Sequence, residues 1–284
     1  MNRSLVYRQT VLLIILGLLA ACSFKTLYNQ MDVLLPEYVE DMVSLDDVLE
    51  EKVEDSTQVL LAWHRSSQLQ HYAAWLRTVQ QDVGPQLTEQ QALQHIARVE
   101  GFWRALSAKL NSEMARLLPL LDQQQQAELF DSITDRNEAF REEFVDVSAE
   151  ERRVDYADRL SDSYENWLGE LTEDQAAAVQ QAAAQMVSTA GLRLQRRLAW
   201  QRGIQQILAG PGNTQDKTVQ LHRFLTGFET LNNEAMREKA ELNRRLIARL
   251  TVIIASSLSD EQREHFMDKT NDYIRMFTEL AAER

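Results

Sequence analysis

Apolar residues recur along most of the chain at the three- and four-residue spacing of a helical face. Val59, Leu60 and Trp63 lead into Leu69, Tyr72, Ala73 and Leu76; Leu221, Phe224, Leu225, Phe228 and Leu231 repeat the period, as do Leu242, Leu246, Leu250 and Ile253. No stretch alternates apolar and polar residues between turn signals, so no strand is predicted. The pattern is that of an all-α, elongated multi-helix bundle.

Helix starts are marked by a recurring pentad: Leu87-Thr88-Glu89-Gln90-Gln91, Leu121-Asp122-Gln123-Gln124-Gln125, Leu171-Thr172-Glu173-Asp174-Gln175 and Leu258-Ser259-Asp260-Glu261-Gln262, with Val147-Ser148-Ala149-Glu150-Glu151 as a variant. In each, a Ser, Thr or Asp can accept from an orphan N–H of the first turn, while the Gln or Glu three positions on reaches back to the cap's own N–H. The pentads have no fixed period, so the helices are segments of a bundle and not solenoid repeats. Ends are cued by Gly84-Pro85, Leu118-Pro119 and Ala209-Gly210-Pro211-Gly212-Asn213. The last of these could separate an N-terminal bundle from a long C-terminal helix pair, one helix from about Asp216 to Leu258 and one from Asp260 onward.

The first residues have a different pattern. Arg3 and Arg8 precede a short apolar run, Val11 to Leu19, which ends in Leu19-Ala20-Ala21-Cys22. The run is shorter than the ~20 residues that span a bilayer and reads as a signal peptide. Leu19, Ala20, Ala21 and Cys22 resemble the bacterial lipobox. That resemblance implies cleavage before Cys22 by the lipoprotein signal peptidase and a diacylglyceryl group and N-acyl chain on this cysteine. An ordinary secretory signal with a chance cysteine is the alternative. Ser23 stands where, in such lipoproteins, an aspartate would retain the protein at the inner membrane, so the resemblance implies the outer membrane, facing the periplasm. The expected organisation is a signal peptide over 1–21, a lipidated N-terminus and tether over 22–36, and one helical periplasmic domain over 37–284, with a subdivision near 209–216 as the alternative. Tyr28, Asn29, Pro36 and Tyr38 lie between tether and body, where they would set the stand-off from the membrane or cap the bundle's base.

Composition narrows the function. Nine Gly and four Pro in 284 residues leave few turn residues for a sandwich or barrel. Cys22 is the only cysteine, which excludes an internal disulfide or a cysteine zinc site. The formal charge of −13 argues against generic nucleic-acid binding. Removing residues 1–21 takes two arginines and no acid, giving −15 over 263 residues. The charge is unevenly spread: residues 37–55 carry nine acids against Lys52, while 192–250 carry eleven basic and five acidic residues. These segments could meet within the fold as a solvated surface. Alternatively Arg193, Arg196, Arg197, Arg202, Arg244, Arg245 and Arg249 could contact a partner, a glycan or anionic headgroups.

Candidate chemistry is sparse. His64 and His71 are two helical turns apart, too far to share one metal ion, and His95, His222 and His265 are isolated. Asp131, Asp135, Glu138 and Glu142 form a carboxylate ladder that reads as a wet helix face or a weak cation site. No phosphate loop, nucleophile elbow or Ser-x-x-Lys motif occurs. The five tryptophans, Trp63, Trp75, Trp103, Trp167 and Trp200, fall on or near the apolar stripes and are expected in the core, with a peptide cradle as the alternative. Catalysis is not expected, nor is a cofactor, a metal or a small-molecule substrate.

Several stretches together resemble one family: Leu27-Tyr28-Asn29, Leu34-Leu35-Pro36-Glu37-Tyr38-Val39, His64-Arg65, Asp135-Arg136-Asn137-Glu138, Glu150-Glu151-Arg152, Asn166-Trp167-Leu168-Gly169-Glu170-Leu171-Thr172 and Glu241-Leu242-Asn243-Arg244. The set is similar to a group of Gram-negative helical envelope lipoproteins known only as a domain of unknown function. The resemblance implies a helical periplasmic fold and supplies no activity. Where that group tends to carry another Leu-Thr-x-x-Gln box, this chain has Leu45-Asp46-Asp47-Val48-Leu49. The pentads also resemble those of small periplasmic stress chaperones, and a tethered helical chain is similar to lipase-specific foldases. The expected role is therefore binding or structure at the envelope, with an envelope protein or client as partner; a chaperone or foldase is the alternative.

Overall fold

The structure, a computed structural model, describes residues 21–227 and 234–283. Every regular element among them is helical. The chain enters through α1 (Ala21–Tyr28) and α2 (Met31–Glu40), then runs through α3 (Asp47–Ser67), α4 (Leu69–Asp82) and α5 (Glu89–Leu117). A 3-10 turn over Leu118–Leu120 leads to α6 (Gln123–Phe144), α7 (Ala149–Leu168) and α8 (Glu173–Gln185). The last four are α9 (Ala190–Ala209), α10 (Thr214–Thr226), α11 (Glu234–Ser256) and α12 (Asp260–Ala282).

All five pentads cap helices as their spacing predicts. Thr88, Asp122, Ser148, Thr172 and Ser259 each accept from the backbone N–H three residues on, and each N3 side chain returns a bond to the cap. A sixth box, Asn213 with Asp216, opens α10. The segment expected as a tether is helical from Ala21, and Tyr28 and Pro36 are buried.

The bundle is elongated because it is held by three apolar clusters. One gathers Val43, Leu49, Ala115, Leu118, Phe130, Ile204, Leu221 and Leu225 from α3, α5, α6, α9, α10 and the turns beside them. A second, at the base, joins Tyr28 of α1 to Leu69, Ala73 and Leu76 of α4 and to Tyr273, Met276 and Leu280 of α12. The third unites Leu168, Val179, Leu250, Ile254 and Phe266 from α7, α8, α11 and α12. Trp167 packs against both the second and the third.

Several expectations change. The helix expected from Asp216 to Leu258 is divided: α10 ends at Thr226, where Gly227 donates to the Arg223 and Leu225 carbonyls, and α11 starts at Glu234. Phe228 and Leu231 lie outside the described residues. The final two helices do not run along each other; α11 lies on α5 and α8, and α12 on α4. Val59 of α3 and Leu242 and Ile253 of α11 are exposed, because the buried line of α3 follows Val53, Leu60 and Leu61 and that of α11 follows Leu246, Leu250 and Ile254. Trp103 is 63% exposed and so is not a core residue. The loop near 209–216 lies within a single core, since Ile204 and Leu208 before it share a cluster with Leu221 and Leu225 after it.

Gly203 makes that last junction. A Cβ there would lie 2.2 Å from Cζ of Phe224, whereas a Cβ at Gly191 in the same helix meets nothing within 4 Å. Gly203→Ala forces the ring to move, at about 1–3 kcal/mol, against a helix-propensity gain of about 0.5–1 kcal/mol. Urea denaturation should show Gly203→Ala less stable than wild type and Gly191→Ala unchanged or slightly more stable.

Candidate functional site

Three polar assemblies tie the bundle together. The most buried joins two capping boxes across the third cluster. Gln175, 1% exposed, donates to Oε1 of Gln262 at 3.0 Å, and Gln262, 4% exposed, donates to Oε1 of Gln175 at 2.8 Å. Each Oε1 also accepts from its own cap's N–H, on Thr172 at 3.0 Å and Ser259 at 3.1 Å. Each amide's second hydrogen goes to the carbonyl two residues before the opposite cap: Gln262 to Glu170 at 2.8 Å and Gln175 to Ser257 at 3.2 Å. The boxes are thus related by a local two-fold, and both buried amides are fully satisfied.

The same joint occurs again with one amide. Gln125 donates to the carbonyl of Ser44, two residues before the cap Asp46, at 3.0 Å. The position reciprocal to Gln125 is Leu49, which is buried, and Asp46 caps α3 alone by accepting from Val48 and Leu49. Glu128 accepts from the Ser44 N–H, and its bonds from Gln124 and Ser44 hold its carboxyl below the usual range. Leu45-Asp46-Asp47-Val48-Leu49 is therefore a pentad in position and geometry, with an apolar contact where its counterparts have glutamine.

The Asn166-to-Thr172 stretch leads into the first joint. Lys269 donates to the Asn166 carbonyl and to its Oδ1, and lies over the Trp167 ring. Gly169 adopts φ +78°, which turns the chain so that the Glu170 carbonyl meets Gln262.

At the base, Tyr28 bonds Nδ1 of His64 at 2.8 Å and Tyr72 bonds Nε2 at 3.2 Å. Burial pushes His64 down to about 4 and both phenols up to about 12. The ring is thus neutral at physiological pH, donating on one side and accepting on the other. Arg65 stacks over Tyr28 and reaches Asn29, so the Leu27-Tyr28-Asn29 and His64-Arg65 stretches meet here. Nearby, Trp75 donates to Nδ1 of His95, whose Nε2 donates to Asp82 at 3.0 Å, and Gln91 donates to the other oxygen of Asp82.

The third assembly holds the arginines. Arg197 donates through Nε to the buried Asn137 at 2.7 Å, and Asn137 donates to Gln201 at 2.9 Å. The guanidiniums of Arg197 and Arg193 lie 5.0 and 5.5 Å from the centre of the Phe140 ring. Arg136 stacks over Tyr38 at 4.9 Å and donates to its hydroxyl at 2.5 Å. Burial, then the neighbouring charges of Arg193 and Arg136, lowers the Arg197 pKa; the guanidinium stays cationic. None of these three arginines makes an ion pair among the described residues.

The basic residues named from the sequence therefore divide. Arg244 pairs with Glu100 and Glu241, Arg245 with Glu241, and Arg249 with Glu89. Their partners are on α5 and α11 and not in the acidic segment 37–55. Arg193 and Arg197 keep their charge uncompensated and are joined by Arg136, which sequence spacing did not connect to them. Arg196 has an interaction of its own. Leu19 and Ala20 lie outside the described residues; Ala21, Cys22 and Ser23 form the first turn of α1. Among the described residues no group of three or more His, Cys, Asp or Glu converges as a metal site, and no helix is long and apolar enough to cross a membrane.

A family profile described as a family of unknown function, DUF6279, matches residues 41–237, more than two-thirds of the chain. The chain belongs to this family. No curated protein and no solved structure matches it. The DUF6279 match takes in His64, the arginine cluster and the boxes at Thr88, Asp122, Ser148 and Thr172. It stops before α12, which supplies Gln262 and, with Tyr273, Ile274, Met276 and Leu280, one side of the base, so the folded unit extends beyond the matched region at both ends.

The His64 site has a definite pH signature. The ordinary histidine value of 6.5 applies to the unfolded chain, and the folded value is about 4. Below 6.5 the unfolded state takes up the proton first, so this contribution is complete above 6.5 and is lost as pH falls toward 4, by up to roughly 3 kcal/mol. Urea midpoints compared between pH 7 and 4.5 should fall more in wild type than in His64→Gln, which can bond both phenols without titrating.

Proposed function

We propose that this chain is a lipid-anchored outer-membrane lipoprotein that faces the periplasm and acts by binding another envelope component, without catalysis. The observation that carries this reading is the sequence run Leu19-Ala20-Ala21-Cys22, whose last two residues open the first helix of the folded body. Cys22 falls in the first turn of α1, and Tyr28, six residues on, is already buried in the base cluster. Six helical residues rise about 9 Å. The acyl chains would therefore hold the bundle close to the bilayer surface, without a flexible tether. Lys25 supports this docking through Glu279 and Glu283 of α12 and the turn after it, both at 2.9 Å, although exposed pairs of this kind contribute little stability.

A binding role is supported by how the titratable groups are used. His64 spends both ring nitrogens on Tyr28 and Tyr72, and His95 spends both on Trp75 and Asp82. The glutamines that suggested a client-binding role, Gln91, Gln125, Gln175 and Gln262, are occupied in capping and in joints between helices. They supply no client surface.

Anchoring is tested by metabolic labelling with radioactive palmitate. Wild type should incorporate label into the processed chain, and Cys22→Ala should incorporate none; label persisting in Cys22→Ala contradicts the anchor.

A further inference from the structure

We infer that Arg136, Arg193 and Arg197 form a binding site for a phosphate group carried on a small polar molecule or a lipid headgroup. The inference stands independently of the lipid anchor. Three guanidiniums from α6 and α9 converge on the Tyr38–Phe140 surface of a protein whose formal charge is −13. Several other arginines are neutralised by carboxylates, Arg141 by Glu138, Arg153 by Glu150, Arg159 by Asp155 and Arg245 by Glu241, and those that are not, such as Arg65 and Arg98, lie singly over an aromatic ring. Here like charges are held together with no carboxylate in ion-pair contact with them among the described residues, an arrangement that an incoming oxyanion relieves.

Each cation is fixed from behind and left open in front. Arg197 is anchored by Nε to Asn137, which leaves its two terminal nitrogens as a fork. The Arg193 guanidinium rests on Phe140 and donates no side-chain hydrogen bond among the described residues. Arg136 is held by the ring and oxygen of Tyr38, whose own O–H remains a donor. Planar forks presented in this way match the oxygens of phosphate better than point charges do.

Beside Arg193 a cleft of about 290 Å³ opens between α6, α7 and α9. Its walls include Phe144, Val147, Tyr156 and Ala190, with Arg152, whose Nε is buried without a hydrogen-bond partner. The cleft's carboxylates are already engaged: Glu143 and Asp155 with Arg159, Glu151 with the Ser148 N–H. The volume suits the uncharged remainder of a headgroup-sized ligand.

The test is calorimetric titration of the full-length protein in neutral detergent at fixed ionic strength. The probes are inorganic phosphate, short-chain phosphatidylglycerol and short-chain phosphatidylcholine. Binding of phosphatidylglycerol alone assigns the site to an anionic headgroup; binding of phosphate as well assigns it to the free oxyanion. Arg193→Gln should weaken binding about tenfold, the loss of one charge-assisted partner, with an unchanged thermal midpoint because this side chain donates no internal hydrogen bond. Arg245→Gln, which removes a cation already paired with Glu241, should leave affinity intact. The site is refuted if neither phosphate nor phosphatidylglycerol binds, if phosphatidylcholine binds as well as phosphatidylglycerol, or if Arg193→Gln and Arg245→Gln have equal effects.

Discussion

A helix that begins inside a protein must satisfy its first N–H groups and any side chain used to do so, and this bundle meets both demands at one place. Gln175 and Gln262 cap their own helices, then turn their remaining hydrogens on each other and on the carbonyls of Glu170 and Ser257. That exchange fixes the start of α8 against the start of α12. It thereby sets where α12 lies on α4, and with it the base cluster that receives Tyr28 and the N-terminal helices. A chain with few breakers and three small apolar clusters has little else to define the register of its helices. Burying two amides is costly unless all their valences are met, so the joint favours one alignment over its neighbours.

Much of this architecture was legible in the sequence. Ser, Thr or Asp followed at three residues by Gln or Glu is a local signal, and local signals survive without knowledge of the tertiary structure; all five pentads open helices. The same locality limits what they reveal. Nothing in Leu171-Thr172-Glu173-Asp174-Gln175 says that its partner lies 87 residues away, or that Leu45-Asp46-Asp47-Val48-Leu49 is the same joint with a leucine in the glutamine's place. The end of α10 is not legible because the apolar period of the sequence continues past it to Phe228 and Leu231, whereas the helix ends at Thr226 with Gly227 as its cap. Exposure of Trp103, Leu242 and Ile253 was missed for a related reason. A 3.6-residue period admits two adjacent apolar lines, and packing selects between them.

The arginines illustrate the difference between charge counted along a chain and charge placed in space. The segment 192–250 is basic as a whole, yet Arg244, Arg245 and Arg249 are compensated from α5 and α11, and the Arg193–Arg197 end is left open. Arg136 lies 57 residues before Arg193, in an acidic stretch, where summing charge conceals it. The quoted stretches behave in a similar way. Leu27-Tyr28-Asn29 meets His64-Arg65, and Tyr38 meets Arg136, so what reads as separate short matches becomes a pair of contact sites between the N-terminal helices and the body.

The central claim is that the paired boxes act as one unit, and a double-mutant cycle on Gln175→Ala and Gln262→Ala measures it directly. Each single variant removes one amide and strands the other in a buried site, so each should cost about 1–3 kcal/mol in urea denaturation. Once both amides are gone no stranded partner remains. The double variant should therefore be less destabilised than the sum of the singles by at least about 1 kcal/mol. Additivity within about 0.5 kcal/mol would mean that the two glutamines cap their helices separately and do not hold the bundle together.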